Sequence, residues 1–437
     1  MLDKLQKKMV NVFLFFDLMK LNRKYPKGDD YIRLKKIQEK RLHKLMKKAY
    51  QIPFYRERFD RAGVKPEDIR TAEDLVKLPP LTKDELRAWM NEEAEKPKYK
   101  DWFHDTTSGS SGKPLMLLYS PKEKAFMMAD WFRVMRMAGY NPFRGKTMSR
   151  KSAHSTSAGA DTFLQKFGIL RRGFLNQYAP EEDMIKQVNE YKPDFLYMNK
   201  TELMRLCLYC KENHSDIWQP KFFCASGEMT DPAARKLFKE ILGDGIIDAY
   251  GSAETGSCML KLFDSPEHII HYDAYVINIY DENDRLADAG SVVITPLFKT
   301  DIPLINYKIG DKAISEVRDG VRYVTSLQGR MNDFFRYDTG EVTTFFEIAP
   351  IIAHCEDVVQ IRFVQDSYTH IVVQCVQSKE SLKTLEQIEK ELDEALNKKF
   401  KHHMDIDFEW SNSIPPDSNG KLRMIVCKVD ENGKKIN

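Results

Sequence analysis

The sequence predicts an α/β protein, with a large N-terminal domain of layered sheets and helices followed by a small α+β C-terminal domain. Three observations carry that reading. At 437 residues the chain exceeds what one hydrophobic core usually serves. Between about 120 and 260, helical segments alternate with short apolar runs, as layered strands and helices do. The final hundred residues form a unit of their own, in the order strand, strand, helix, strand.

In chain order, the first hundred residues read as helical and highly charged, ending at the proline-marked Leu78-Pro79-Pro80-Leu81. The apolar run at 10–19 is too short to span a bilayer and contains Asp17. Lys20-Leu21-Asn22-Arg23-Lys24 follows it in place of a small-residue cleavage site, so a helix packed on the domain is preferred to docking on a membrane surface. Ser120 and Pro121 supply the cap and first residue of a helix that stops at Gly139, and Asp231 and Pro232 open another that closes near Gly243. Phe195-Leu196-Tyr197-Met198 and Lys221-Phe222-Phe223-Cys224-Ala225 read as strands. Beyond 265 strands dominate: one long run over 269–280, then Val292-Val293-Ile294, then a hairpin turning at Asp319 and Gly320. The last unit has strands at 358–364 and 371–376, a helix presenting Leu382, Leu385, Ile388, Leu392 and Leu396, and strands at 406–408 and 424–426.

Composition narrows the function classes. The 68 basic and 65 acidic residues nearly cancel, leaving +3, so nucleic acid is not expected as the main partner. Seven scattered cysteines are an odd, unpatterned set, which reads as reduced thiols in a cytoplasmic protein. Cys207 and Cys210 form a C-x-x-C at helical spacing on an apolar face, which makes them core residues. No transmembrane segment is expected.

Four short motifs could carry chemistry. Thr106-Thr107-Ser108-Gly109-Ser110-Ser111-Gly112-Lys113-Pro114 offers hydroxyls and backbone N–H groups to phosphate oxygens, although its spacing is not that of a Walker loop. Alone, it reads more readily as a flexible linker. In Asp248-Ala249-Tyr250-Gly251-Ser252-Ala253-Glu254-Thr255-Gly256, an aromatic ring suited to stacking on a purine precedes a carboxylate suited to Mg²⁺. Asp311, in Tyr307-Lys308-Ile309-Gly310-Asp311, could accept ribose hydroxyls, with Arg330 of Gln328-Gly329-Arg330 nearby. Lys421, after Gly420 on a short loop, is a point charge suited to an anion. Each of these also reads as an ordinary turn with solvated charge.

Their order and spacing together resemble the adenylate-forming superfamily of acyl-CoA synthetases, peptide-synthetase adenylation domains and luciferases. Within it the chain looks most like the phenylacetate–CoA ligase branch, including relatives in capsular polysaccharide biosynthesis. The resemblance spans nearly the whole chain. It begins at Pro53-Phe54-Tyr55-Arg56 and Leu78-Pro79-Pro80-Leu81-Thr82-Lys83 and includes Ser226-Gly227-Glu228. It implies an ATP-dependent ligase that activates a small carboxylic acid as its acyl-adenylate and transfers the acyl group to coenzyme A. Thr107, Ser108, Gly109, Ser110, Ser111, Gly112 and Lys113 would hold the β- and γ-phosphates. Tyr250 would lie against adenine, with Gly251, Ser252, Ser226, Gly227 and Glu228 on the nucleotide side. Glu254 would bind Mg²⁺, Asp311 and Arg330 would take the ribose, and Lys421 would bridge the α-phosphate and the carboxylate. The resemblance also implies an N-terminal adenylation domain over 1–329 and a mobile C-terminal domain over 330–437, hinged at Asn332 beside Asp333. Relatives of this branch are often homodimers.

The sequence also departs from the branch. Arg336-Tyr337-Asp338-Thr339-Gly340 is one residue longer than the corresponding run, and Phe345 and Ala349 stand where Pro and an acidic residue would. That loop serves the second half-reaction, so transfer to an amine, hydroxyl or protein thiol competes with transfer to coenzyme A. A catalytically inactive nucleotide-binding scaffold is the third reading. Ser326-Leu327-Gln328 replaces the Cys-x-Cys of zinc-binding relatives, so no zinc is expected, and Cys258, His268 and His271 read as ordinary strand residues. Tyr197, Met198 and Asn199 fall in the segment that borders the acyl pocket in relatives; core packing is an equal reading for them.

Overall fold

The computed structural model describes residues 13–14, 16–17, 31–106, 115–150, 165, 167–169, 171–176, 179–228, 230, 232–330, 334–344, 347–348, 351–352, 355, 357–415 and 422–429. Most of the expected helix at 10–19 lies outside them.

Three helices lead: α1 (Tyr31–Ala49), α2 (Pro53–Ala62) and α3 (Lys83–Ala94). Pro53 starts α2, and Gly63 ends it in the left-handed region at φ 66°. Thr82 and Glu85 form a capping box on α3. Strands β1 (Phe103–Thr106) and β2 (Met116–Tyr119) pair antiparallel, and α4 (Pro121–Met137) follows. As expected, Ser120 caps α4, closing a box with Glu123. The alternating region then comprises β3 (Lys146–Arg150), β4 (Arg171–Leu175), α5 (Glu181–Tyr191), β5 (Phe195–Asn199), α6 (Lys200–Glu212), β6 (Phe222–Ser226) and α7 (Pro232–Leu242). Strands follow as β7 (Ile246–Ser252), β8 (Gly256–Leu262), β9 (Ile269–Ile270), β10 (Tyr275–Tyr280), β11 (Ala289–Pro296), β12 (Tyr307–Arg318) and β13 (Val321–Arg330). The C-terminal elements are β14 (Phe334–Arg336), β15 (Val342–Thr344), β16 (Val358–Gln365), β17 (His370–Gln377), α8 (Leu385–Asn397), β18 (Asp405–Trp410) and β19 (Ile425–Cys427).

The chain divides into two compact units. One comprises Met1–Phe143, Asp161–Ile169 and Ile247–Gln328; the other comprises Arg144–Ala160, Leu170–Ile246 and Gly329–Asn437. In the first, α1 to α3 pack a core in which Leu42, Tyr55, Phe59 and Trp89 meet Ile302, Leu304 and Tyr307. A four-stranded sheet runs in the order β10-β11-β12-β13. The Leu78-Pro79-Pro80-Leu81 stretch is tied to that sheet: Leu81 N–H donates to the Asn306 carbonyl at 2.8 Å, and Lys308 N–H donates to the Leu81 carbonyl at 3.0 Å. Buried Asn306 secures the same stretch, donating from Nδ2 to the Leu78 and Leu75 carbonyls at 2.7 and 3.2 Å and accepting from the Tyr280 hydroxyl at 2.8 Å. Asp319 and Gly320 form the expected turn, both at positive φ (52° and 74°), as a two-residue hairpin between twisted strands requires. The single strand expected over 269–280 is two. Residues 271–274 turn between β9 and β10, because the His271 and Asp273 side chains engage buried partners described below.

In the second unit, parallel strands run in the order β4-β3-β5-β6. Met184 and Val188 of α5, Leu203 and Leu206 of α6, and Phe238 of α7 share a core with Leu196 and Phe223 of the strands. Cys207 and Cys210 lie in that core, as expected. The C-terminal elements build a second sheet in the order β18-β17-β16-β19, with β16 and β17 antiparallel and both outer pairings parallel. Ile388, Leu392 and Leu396 bury one face of α8 against it. Gln365, wholly buried, clamps β14 to this sheet by exchanging two side-chain hydrogen bonds with the Arg336 backbone. Leu382 differs from expectation. Thr384 caps α8 in a box with Gln387, so the helix starts after Leu382, which stands fully in solvent.

These placements predict opposite outcomes for two similar truncations. Leu396→Ala leaves a cavity and should destabilise the protein by about 2–5 kcal/mol, whereas Leu382→Ala should stay within about 0.5 kcal/mol. Urea unfolding of the C-terminal core distinguishes them.

Candidate functional site

The β7–β8 hairpin gathers most of the residues described from the second motif. Its strands approach so closely at Gly251 that a Cβ there would run into the Gly256 carbonyl, so only glycine fits. The turn closes on itself through Ser252 and Thr255: each backbone N–H donates to the other's hydroxyl, at 3.2 and 3.3 Å. Tyr250, two residues before the end of β7, donates its hydroxyl to Asp311 Oδ2 at 2.6 Å, joining residues 61 apart in sequence. The residue expected against adenine and the residue expected to take the ribose are therefore neighbours within the first unit.

Glu254 sits at the tip of this turn, only 5% exposed. Among the described residues its carboxylate has no hydrogen bond and no ion pair. A buried carboxylate is costly unless something compensates its charge, so this donor set fits a hard cation. The Tyr119 hydroxyl donates to the Ala253 carbonyl and anchors the turn from β2. Burial, reinforced by Glu254, pushes the Tyr119 phenol well above its ordinary range.

Behind the hairpin lies a buried charge cluster that the sequence reading missed. The Tyr275 hydroxyl donates to the Thr255 carbonyl at 3.0 Å and reaches Asp130 at 3.4 Å. Asp130 also pairs with Arg133 and with His271 Nδ1, the latter at 3.2 Å. Arg133 binds Asp273 at 2.7 Å, and Arg41 donates to the Asp273 carbonyl. Burial pushes the Asp130 carboxyl upward, but Arg133 and His271 outweigh it and hold the group below the usual carboxylate range. Asp130 and Arg133, one helical turn apart on an otherwise apolar stretch of α4, are the signal that could have revealed it. His271 is thus a cluster member in a turn, not a strand residue. Cys258 does lie in β8, and burial raises its thiol far above the usual range. Among the described residues no group of three His, Cys, Asp or Glu is arranged to hold a metal ion.

In the second unit, Ser226 ends β6 with its hydroxyl donated to the Met198 carbonyl at 3.1 Å. Gly227 turns at φ 79°, and Glu228 accepts the Thr201 hydroxyl at both oxygens, 2.7 and 2.9 Å away. Thr201 Oγ1 in turn accepts from Leu422 N–H at 3.2 Å. The first residue described after Lys421 therefore lies beside the partner of Glu228. Met198 belongs to the core and Asn199 is buried, donating to Glu202 at 3.2 Å. Thr107, Ser108, Gly109, Ser110, Ser111, Gly112, Lys113, Asn332, Asp333 and Lys421 lie outside the described residues. Arg330 ends β13, and its side chain also lies outside the description. At the run 336–340, β14 and β15 form a closed hairpin, with the Tyr337 hydroxyl 2.8 Å from Thr343 Oγ1 and Gly340 at φ 80°.

The architecture is that of adenylate-forming ligases with a C-terminal domain: the chain matches the structure of 2-hydroxyisobutyryl-CoA ligase in the postadenylation state with a TM-score of 0.74 at 20% identity, over 90% of this chain and 89% of that one. Its homologues are CapK and phenylacetate–coenzyme A ligases. Protein CapK of Staphylococcus aureus is 23% identical over 373 residues, covering 82% of this chain and 81% of the relative. Phenylacetate-coenzyme A ligase of Escherichia coli (strain K12) is 25% identical over 332 residues, covering 69% and 72%. A family model described as the CapK C-terminal domain matches residues 336–428. Among the described residues no helix is long and apolar enough to cross a membrane.

Two substitutions test the hairpin. Tyr250→Phe removes one hydrogen bond to a carboxylate and should cost about 1–2 kcal/mol in chemical unfolding. Gly251→Ala should cost more, because two backbones must separate to admit the methyl group.

Proposed function

We propose that this protein uses ATP to convert a carboxylic acid into its acyl-adenylate and then passes the acyl group to coenzyme A. The observation that carries the reading is the hydrogen bond from Tyr250 of the hairpin to Asp311, beside a buried Glu254 with no hydrogen bond or ion pair among the described residues, within the fold of adenylate-forming ligases. In the first step a carboxylate oxygen of the acid attacks the α-phosphorus, the bond to the β-bridging oxygen breaks, and pyrophosphate leaves. No nucleophilic side chain is required, because the substrate is already an anion. The protein's task is to bring two anions together. Glu254 would hold Mg²⁺, which supplies neutralisation of the leaving pyrophosphate. Tyr250 is rigid enough to offer its face to a purine because its hydroxyl is already engaged, and Asp311 is oriented by the same bond. Lys421 would stabilise the charge that builds between the α-phosphate and the attacking carboxylate.

A second reading, transfer to an amine, hydroxyl or protein thiol in cell-surface polysaccharide assembly, draws support from two observations. The C-terminal match is to the CapK domain, and the run at 336–340 belongs to a closed hairpin that lies within that match.

The test is pyrophosphate release with ATP, Mg²⁺ and a panel of aryl, short aliphatic and amino acids, using hydroxylamine to trap the adenylate. One acid class should respond. Lys421→Ala should lower the rate by about 10²–10³-fold while ATP binding falls much less; equal loss of both would count against its role. Thioester formation when coenzyme A replaces hydroxylamine decides for the first reading, and its absence despite adenylation decides for the second. ATP binding without turnover of any acid would leave an inactive scaffold.

A further inference from the structure

One cation in the first unit has no part in the roles assigned so far. Lys299 is 2% exposed, and its Nζ rests 4.2 Å from the centre of the Tyr119 ring. Among the described residues it makes no hydrogen bond and no ion pair. The capping box of α4 holds it there. Glu123 accepts from Ser120 N–H at 3.1 Å with one carboxylate oxygen and from Asp301 N–H at 3.3 Å with the other, tying the segment that carries Lys299 to the end of β2. Both Glu123 oxygens are thereby engaged by backbone. The same Tyr119 holds the Ala253 carbonyl, immediately before Glu254.

An ammonium has three donors, and burying it over an aromatic face satisfies none of them fully. Burial pulls the Lys299 ammonium below the ordinary lysine range, while the Glu123 and Glu254 charges act to restore it. The second lysine near that ring, Lys124 at 5.0 Å, is instead paired with Asp105 at 2.9 Å. This ammonium with unfilled donors therefore lies within electrostatic reach of Glu254, a buried carboxylate with no partner among the described residues, while the Asp301 carboxylate, also in reach, is only half-buried. An acceptor that suits both must be anionic itself and carry a cation to Glu254. A metal-complexed polyphosphate has that chemistry, whereas a lone carboxylate would meet Glu123 and Glu254 as like charges.

We propose that Lys299 is a binding residue for the β- and γ-phosphate oxygens of the nucleotide, resting on the reading above that Glu254 serves the metal of the same phosphates. Lys299 donates to oxygens that leave with pyrophosphate, so it contributes to ATP and pyrophosphate binding and not to AMP.

Calorimetric titration of wild type and Lys299→Met with Mg·ATP, Mg·pyrophosphate and AMP tests this. Loss of a charge-assisted hydrogen bond should weaken ATP and pyrophosphate by about tenfold to a hundredfold, leaving AMP within about twofold and Lys299→Arg closer to wild type. Unchanged ATP and pyrophosphate affinity, or an equal loss for AMP, overturns the assignment. Absence of ATP binding by the wild type would instead overturn the adenylation reading. Thermal unfolding checks the variant, with Lys299→Gln in its place if Met is not tolerated. In the wild type, acetylation of Lys299 followed by mass spectrometry should slow with Mg·pyrophosphate and not with AMP; equal rates with both overturn the proposal.

Discussion

Everything proposed for the first unit depends on two backbones meeting at Gly251. With no side chain there, β7 and β8 close on each other, and the Ser252–Thr255 hydroxyl exchange can shut the turn. That closure sets where Tyr250 ends and where Glu254 begins. It also brings the Ala253 and Thr255 carbonyls to the hydroxyls of Tyr119 and Tyr275. The buried Glu254 carboxylate is thus held by a turn whose own polar groups are already occupied.

The scaffold behind the turn is itself charged. Asp130, Arg133, His271 and Asp273 are buried together, and Gln38 and Arg41 of α1 reach the same place, Gln38 donating to the Tyr275 carbonyl at 2.6 Å. Such clusters are seldom worth much in net stability, because desolvation offsets attraction. Their groups are nonetheless expensive to displace singly, since removing one partner strands another. The hairpin therefore leans on a support that resists small shifts, which suits the positioning proposed for Tyr250 and Glu254.

Much of this was legible in residue order. Ser120-Pro121, Asp319-Gly320 and the alternation between 120 and 260 are local rules, and the chain obeys them. Tyr250, Glu254 and Asp311 were legible as motifs, though nothing in their spacing announced that Tyr250 and Asp311 would bond. What stayed hidden is long-range. The break in 269–280 follows from His271 and Asp273 finding Asp130 and Arg133 about 140 residues away. Lys299 gave no signal at all, since its meaning comes from Tyr119 beneath it and not from its neighbours in sequence. Leu382 misled because helical spacing continued one turn past a cap that a Thr-x-x-Gln pattern at 384–387 already marked.

The Thr201 hydroxyl has a further consequence. It gives its proton to Glu228 and receives Leu422 N–H, so one oxygen atom joins the Gly-Glu turn to the segment following Lys421. A neutral hydrogen bond of that kind contributes about 0.5–1.5 kcal/mol net. The other described polar links from α6 to the C-terminal elements, Lys211 to Glu380 and Lys379 to Glu212, are exposed ion pairs of still smaller worth. These links work as a latch and not as a weld: each opens at a cost near thermal energy. Release at Leu422 would hand the Thr201 oxygen to water without disturbing its grip on Glu228.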